Sequence, residues 1–124
     1  IATHIGKESV LIVRQRDGGL KAFYNVCLHR GNRLRPEGVG SSESFKCQYH
    51  HWEYDLDGSF KRIPDLDTFV QGAPPCRGIR LLPCESWGGF VWFSLNPDVG
   101  PLTDYLDPVD KHLAPYNFHK MANV

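Results

Sequence analysis

Cys47-Gln48-Tyr49-His50-His51-Trp52-Glu53-Tyr54-Asp55-Leu56-Asp57-Gly58 is the stretch on which the reading of this chain turns. It opens with a Cys and a His three residues apart and ends in Asp-Gly, a strong hairpin signal. Upstream stands a second such segment, Cys27-Leu28-His29-Arg30-Gly31-Asn32-Arg33-Leu34, where Cys and His are two apart. Seventeen residues, Arg30 to Lys46, separate the two Cys/His pairs. A lone Cys or His is ordinarily a packing or surface residue. Two loops that each offer one thiolate and one imidazole form a metal-binding arrangement.

Outward from these loops the chain reads as short strands and turns. Val10–Val13 is a β-branched apolar run and predicts a central strand. Asp17-Gly18-Gly19 turns it into a returning strand over 20–24, and 25–40 reads as loop. Further short strands are expected at 45–47, 52–56, 59–63, 78–82 and 90–95, with 64–75 irregular and Trp87-Gly88-Gly89 as a turn. Only Leu102, Tyr105, Leu106, Val109 and Leu113 follow helical spacing, and Pro108 limits them to two short turns. The expectation is an all-β fold of small antiparallel sheets with little helix and a small two-loop subdomain.

Composition agrees. Twelve Gly and nine Pro among 124 residues favour a turn-rich domain over long helices. Fourteen basic against fourteen acidic residues leave no net charge, which argues against a nucleic-acid partner. Apolar runs reach only four or five residues, too short for a membrane helix or a signal-peptide core. A chain of this length forms one core without disulfide staples. It begins at Ile1 in a strand-like pattern and stops at Val124 without a terminating signal, so a piece of a longer polypeptide is expected.

The two loop motifs resemble those of the Rieske iron–sulfur domain, above all in the α-subunits of Rieske non-haem iron oxygenases, the aromatic-ring-hydroxylating enzymes. Those carry Cys-x-His-Arg-Gly, then Cys-x-Tyr-His-Gly-Trp, then an Asp-Gly turn. The resemblance implies a Rieske domain over 1–95 and a tail or linker over 96–124, leading to a catalytic domain absent from this chain. It implies that Cys27 and Cys47 bind one iron of a [2Fe–2S] cluster and His29 and His50 the other. Neutral imidazoles make such a cluster less negative than four thiolates do. Rieske potentials accordingly lie at roughly −150 to +300 mV, against about −400 mV for plant-type ferredoxins. Around the ligands, Gly31 would supply a tight turn with N–H groups facing cluster sulfurs, and Arg30 a structural or docking charge. Trp52 would pack beneath the loop, and Tyr49 would bond near a cluster sulfide. Rieske proteins of respiratory bc complexes add a loop disulfide at positions that are Asn32 and Tyr49 here, so the lower-potential oxygenase or ferredoxin type is implied.

The resemblance further implies a reductase or ferredoxin as electron donor, a mononuclear non-haem Fe(II) site in the absent domain, and a trimer or α/β hetero-oligomer for the parent subunit. A cytoplasmic location is expected, without membrane or nucleic-acid partners. A stand-alone Rieske ferredoxin is the alternative, and a structural zinc module a further one. Zinc modules usually pair Cys with Cys and His with His along the chain, unlike the alternation here. His51 departs from the family pattern, which has Gly there. A left-handed backbone would explain the Gly, and His is among the residues tolerated in it. Asp107, Asp110, His112 and His119 lack the spacing of a two-His-one-carboxylate iron site and read as solvated linker residues, so no catalytic residue is expected in this chain. Cys76 and Cys84 read as buried or free thiols outside the site.

Overall fold

A computed structural model describes residues 1–121. The last three residues of the expected 96–124 tail lie outside them. The chain divides into two compact units, Ile1–Leu81 and a second beginning at Leu82.

In the first unit, β1 (Ala2–Ile5), β2 (Glu8–Arg14) and β3 (Leu20–Tyr24) form an antiparallel meander. Val10 is fully buried and Leu11 2% exposed, which is why this run lies centrally in a sheet ordered β1-β2-β3-β7, where β7 is Leu81–Leu82. The second sheet holds β4 (Phe45–Lys46), β5 (Glu53–Tyr54) and β6 (Phe60–Arg62), all antiparallel. Between β4 and β5 lies the loop that starts at Cys47. Strand 52–56 is shorter than expected because Asp55 N already donates to Ser59 O, closing the hairpin at Asp57-Gly58.

The expected strand over 78–82 splits. Gly78 bridges Ser59, and Ile79 N donates to Gly58 O at 2.8 Å, whereas only Leu81–Leu82 forms β7. A Cβ on Gly78 would stand 2.2 Å from Gly58 O, so this approach of two backbones requires glycine. The core of the unit gathers Leu11, Val13, Phe23, Leu34, Phe45, Trp52, Tyr54 and Ile79, together with Cys27 and Cys47.

In the second unit, β8 (Cys84–Trp87) and β9 (Phe90–Phe93) form a hairpin about Gly88-Gly89. The turn was expected; β8 was not, since Cys-Glu-Ser-Trp holds no β-branched residue. Helices α1 (Leu102–Leu106) and α2 (Val109–Leu113) are the two short turns predicted on either side of Pro108. Two 3-10 turns, Ala114–Tyr116 and Phe118–Lys120, follow them.

Candidate metal centre

The two Cys/His segments fold into the same closed loop. In the first, Cys27 N donates to Asn32 O at 2.7 Å, and Gly31 N donates to Cys27 O at 2.9 Å. In the second, Cys47 N donates to Trp52 O at 2.8 Å, and His51 N donates to Cys47 O at 3.1 Å. Each loop is thus tied at its first and sixth residues, and its fifth residue carries a positive φ: +69° at Gly31 and +61° at His51. His51 therefore adopts the left-handed backbone expected where the family has Gly. Gly31 supplies the expected tight turn, and its own N–H is spent on the Cys27 carbonyl. The backbone N–H groups that face the thiols are those of His29, toward Cys27, and of Tyr49 and His50, toward Cys47.

Placed opposite each other, the loops sort their side chains by chemistry. The two Cys residues, each 1% exposed, belong to the core and perturb one another's ionisation. The two imidazoles lie outward of them, with ring centroids 4.5 Å apart at 73°. The alternation of Cys and His along the chain becomes thiol beside thiol and imidazole beside imidazole in space.

Each thiol is contacted by a side chain from across the site. Tyr54, fully buried on β5, takes the Leu28 N–H on its hydroxyl at 2.9 Å and places that hydroxyl 3.3 Å from Cys27 Sγ. Asn32, in the first loop, directs Nδ2 at Cys47 Sγ at 3.7 Å. Burial pushes the Cys27 thiol up, only partly offset by Tyr54 and the His29 N–H. Burial also pushes on Cys47, but the N–H groups of Tyr49 and His50, with Cys27 and Asn32, outweigh it and hold that thiol below its ordinary value. Burial holds the Tyr54 phenol well above its ordinary value, so it remains a donor.

The two imidazoles are held differently. His29 stacks on Trp52, with centroids 5.0 Å apart and planes at 11°, and Trp52 in turn packs against Phe60 and Phe69. Burial, the His50 ring and the Arg30 guanidinium together hold His29 below its ordinary pKa, in its neutral, ligand-ready form. Its Nδ1 is buried with no hydrogen-bond partner. His50 is exposed and lies beside Tyr49, centroids 3.8 Å apart; Tyr49 is itself 59% exposed, and its hydroxyl makes no hydrogen bond to either thiol. Arg30 is exposed.

This donor set fits a binuclear centre better than a single ion. A tetrahedral zinc site needs every donor about 2.0–2.3 Å from one point. Among the described residues no group of three or more His, Cys, Asp or Glu converges in that way. Two thiols at an inner end and two imidazoles at an outer end, with the His29 Nδ1 left unpartnered, suit two metals rather than one.

A family profile, that of the Rieske [2Fe–2S] domain, matches residues 1–83. The chain belongs to the Rieske [2Fe–2S] domain family. It is 33% identical over 118 residues to the large oxygenase component of the 2,4-dinitrotoluene dioxygenase system of Burkholderia sp. (strain RASC), covering 93% of this chain and 26% of that protein. It is 35% identical over 126 residues to the glycine betaine monooxygenase oxygenase subunit of Chromohalobacter salexigens, covering all of this chain and 27% of that one. Among solved structures, the Rieske monooxygenase CntA with γ-butyrobetaine superposes with a TM-score of 0.88 at 28% identity, over 99% of this chain and 36% of CntA. The chain thus spans about a quarter to a third of the proteins it matches. These matches run beyond the Rieske profile into the second unit, as in an oxygenase component and unlike a stand-alone ferredoxin.

The remaining candidates lie apart from the centre. Cys76 is exposed and Cys84 half-buried, both free, with burial raising the Cys84 thiol. Asp107, which pairs with Lys111, is exposed, as are His112 and His119. Asp110 corrects its reading as a solvated residue. It sits in the first turn of α2, where packing buries its Oδ1 without a partner. Among the described residues no helix is long and apolar enough to cross a membrane.

Four contributors were missed from sequence. Tyr54 stands inside the decisive stretch but reads there as one more strand residue. Asn32 was noted only as a position lacking Cys. Asn25, at 4% exposed, is the one buried polar residue of the described core, and it bonds Ser9, Leu34 and Arg35. Arg35 grips Ser42 and Ser44, just before the strand that leads into the second loop. Nothing in the local pattern of either marks it out.

Proposed function

We propose that this chain is the electron-relay portion of a Rieske non-haem iron oxygenase α-subunit, with Cys27 and Cys47 holding the inner iron of the [2Fe–2S] cluster and His29 and His50 the outer. The observation that carries this is the sorting of two thiols inward and two imidazoles outward by a matched pair of loops. When bound, the cluster supplies a one-electron redox step. The protein supplies the rest. Cys27 and Cys47 bind as thiolates, for which Cys47 is already primed by its N–H donors. Tyr54 and Asn32 direct hydrogen bonds at the two sulfurs. Trp52 fixes the plane of His29, and Tyr49 lies over His50. Gly31 closes the first loop, and Arg30 adds positive charge beside His29.

In this reading a reductase or ferredoxin donates the electron, and the acceptor is a mononuclear ferrous site in a catalytic domain beyond 96–124. The parent protein is a trimer or an α/β hetero-oligomer in the cytoplasm. Relatives named for dinitrotoluene and naphthalene support an aromatic substrate, and those named for glycine betaine and γ-butyrobetaine define the competing class.

Metal analysis tests the proposal. About two irons and two acid-labile sulfides per chain are expected. Cys27→Ser and Cys47→Ser should each lose the cluster, whereas Cys76→Ser and Cys84→Ser should keep it. One zinc with negligible iron, in protein made with ample iron, would end the reading. Retention of the cluster by Cys27→Ser would end the ligand assignment.

A further inference from the structure

Arg35 lies outside the ligand loops, yet both its backbone and its side chain are engaged. Its N–H donates to Asn25 Oδ1 at 3.0 Å, and its carbonyl accepts from Asn25 Nδ2 at 2.7 Å. The same Asn25 Oδ1 accepts the Leu34 N–H at 3.1 Å. Asn25 precedes Cys27 by two residues, and Leu34 and Arg35 follow the loop. One buried side chain therefore spans the base of the first loop.

The guanidinium of Arg35 reaches toward the second loop. Its Nη2 donates to Ser42 Oγ and to the Ser44 carbonyl, both at 2.8 Å, and its carbon lies 5.3 Å from the centre of the Phe45 ring. Ser42 Oγ also donates to the Ser44 carbonyl. Ser44 Oγ in turn donates to Glu53 Oε1 at 2.5 Å. Phe45 and Lys46 form the strand that enters the second loop, and Glu53 opens the strand that leaves it. Among the described residues no carboxylate forms an ion pair with Arg35. Its donors go to neutral acceptors, so what the fork supplies is fixed geometry. The network runs unbroken from the base of one loop to both stems of the other, and none of Cys27, His29, Cys47 and His50 takes part in it.

We infer that Arg35 is a positioning residue that clamps the two ligand loops at a set separation. This rests on the proposal that Cys27, His29, Cys47 and His50 hold the cluster. A cluster bridging two loops can leave only if the loops part. The clamp therefore governs how fast the cluster is released, as well as contributing to fold stability.

The test follows chelator-driven bleaching of the visible spectrum in cluster-loaded protein, well below the unfolding temperature. It compares wild type with Arg35→Met, Arg35→Lys and Gln15→Leu. The last removes a bond to the Leu56 carbonyl, 2.9 Å long and in the same unit, and touches neither loop. Arg35→Met should bleach at least tenfold faster and broaden the electron paramagnetic resonance of the reduced cluster. Arg35→Lys keeps the charge over Phe45 but lacks the fork, and should fall between. Gln15→Leu should lower the melting temperature and leave bleaching unchanged. The inference is overturned if Arg35→Met bleaches at the wild-type rate. It also fails if Gln15→Leu accelerates bleaching as much for the same loss of melting temperature. Should Arg35→Met not fold, Arg35→Lys decides: bleaching and resonance unchanged from wild type overturn the clamp. Cluster retention in Cys27→Ser would instead strike the ligand assignment, so the two failures are separable.

Discussion

Tyr54→Phe removes one oxygen from a fully buried ring and leaves its packing against Phe60, 5.4 Å away between centroids, in place. The Leu28 N–H can only donate, so at 2.9 Å the Tyr54 oxygen is its acceptor, and the phenolic proton is left for Cys27 Sγ at 3.3 Å. A hydrogen bond to a charged acceptor is worth about 1.5–3 kcal/mol. The thiolate of a reduced cluster is the more negative of the two redox states and gains more from the bond. If the difference is about 1 kcal/mol, its loss lowers a one-electron potential by roughly 40 mV, since 59 mV corresponds to about 1.4 kcal/mol. The stranded Leu28 N–H should cost about 1–3 kcal/mol of stability besides. Because burial holds the phenol well above its ordinary pKa, the drop in potential should be the same from neutral to moderately alkaline pH. Voltammetry of both proteins, with cluster content verified by their spectra, measures it. An unchanged or higher potential in Tyr54→Phe, cluster intact, would refute the assignment of Tyr54 as donor to Cys27.

Asn25→Ala strips partners from Leu34 N, Arg35 N and the Arg35 carbonyl, and at about 1–3 kcal/mol for each group left truly buried the loss should be about 3 kcal/mol or more; a denaturant titration showing under about 1 kcal/mol would mean water replaces the side chain. His51→Gly relieves a left-handed backbone at φ +61° and should stabilise the protein by about 0.5–1 kcal/mol, after the larger entropy loss of glycine is counted; thermal melting of apo and loaded protein checks it. Asp57 is held below its ordinary value by the Ser59 hydroxyl and N–H, with Lys21 adding to it. A depressed carboxyl stabilises above its unfolded value and loses that contribution as pH falls through the native one. Its side chain is 46% exposed, so solvent screening leaves well under about 1 kcal/mol. The stability gap between wild type and Asp57→Asn should therefore be small at neutral pH and close on acidification, and a gap that widens would contradict the sign.

The pairing of the two Cys/His loops was legible because its chemistry is local. Cys-x-His and Cys-x-x-His each fit within one loop, and the backbone twist that tolerates His51 follows from a single residue's sterics. The three hairpin turns and the break at Pro108 were legible for the same reason. Strand extents were not. The 78–82 run looks continuous, but Gly78 is drawn to Ser59 by an approach that only glycine permits, while Leu81–Leu82 joins the other sheet. Which backbone a residue meets is set by tertiary contact, and no window of sequence holds both partners. Asn25 and Arg35 escaped notice on the same ground. Asn25 looks like a loop residue, and becomes buried only because Leu34 and Arg35 fold back upon it.

The spacing difference between the two motifs also acquires a physical meaning. Both loops are closed by the same pair of backbone bonds, from the first residue to the sixth and from the fifth to the first. With the backbones alike, the shift of the imidazole from the third residue, His29, to the fourth, His50, cannot arise from loop length. It places the first ring inward, where Trp52 stacks on it and its Nδ1 is buried, and the second on the exposed side beside Tyr49. Here one is locked by a rigid aromatic platform and the other is open to solvent. The two imidazoles are thus inequivalent by construction, and His50 is the ring whose edge is open to solvent.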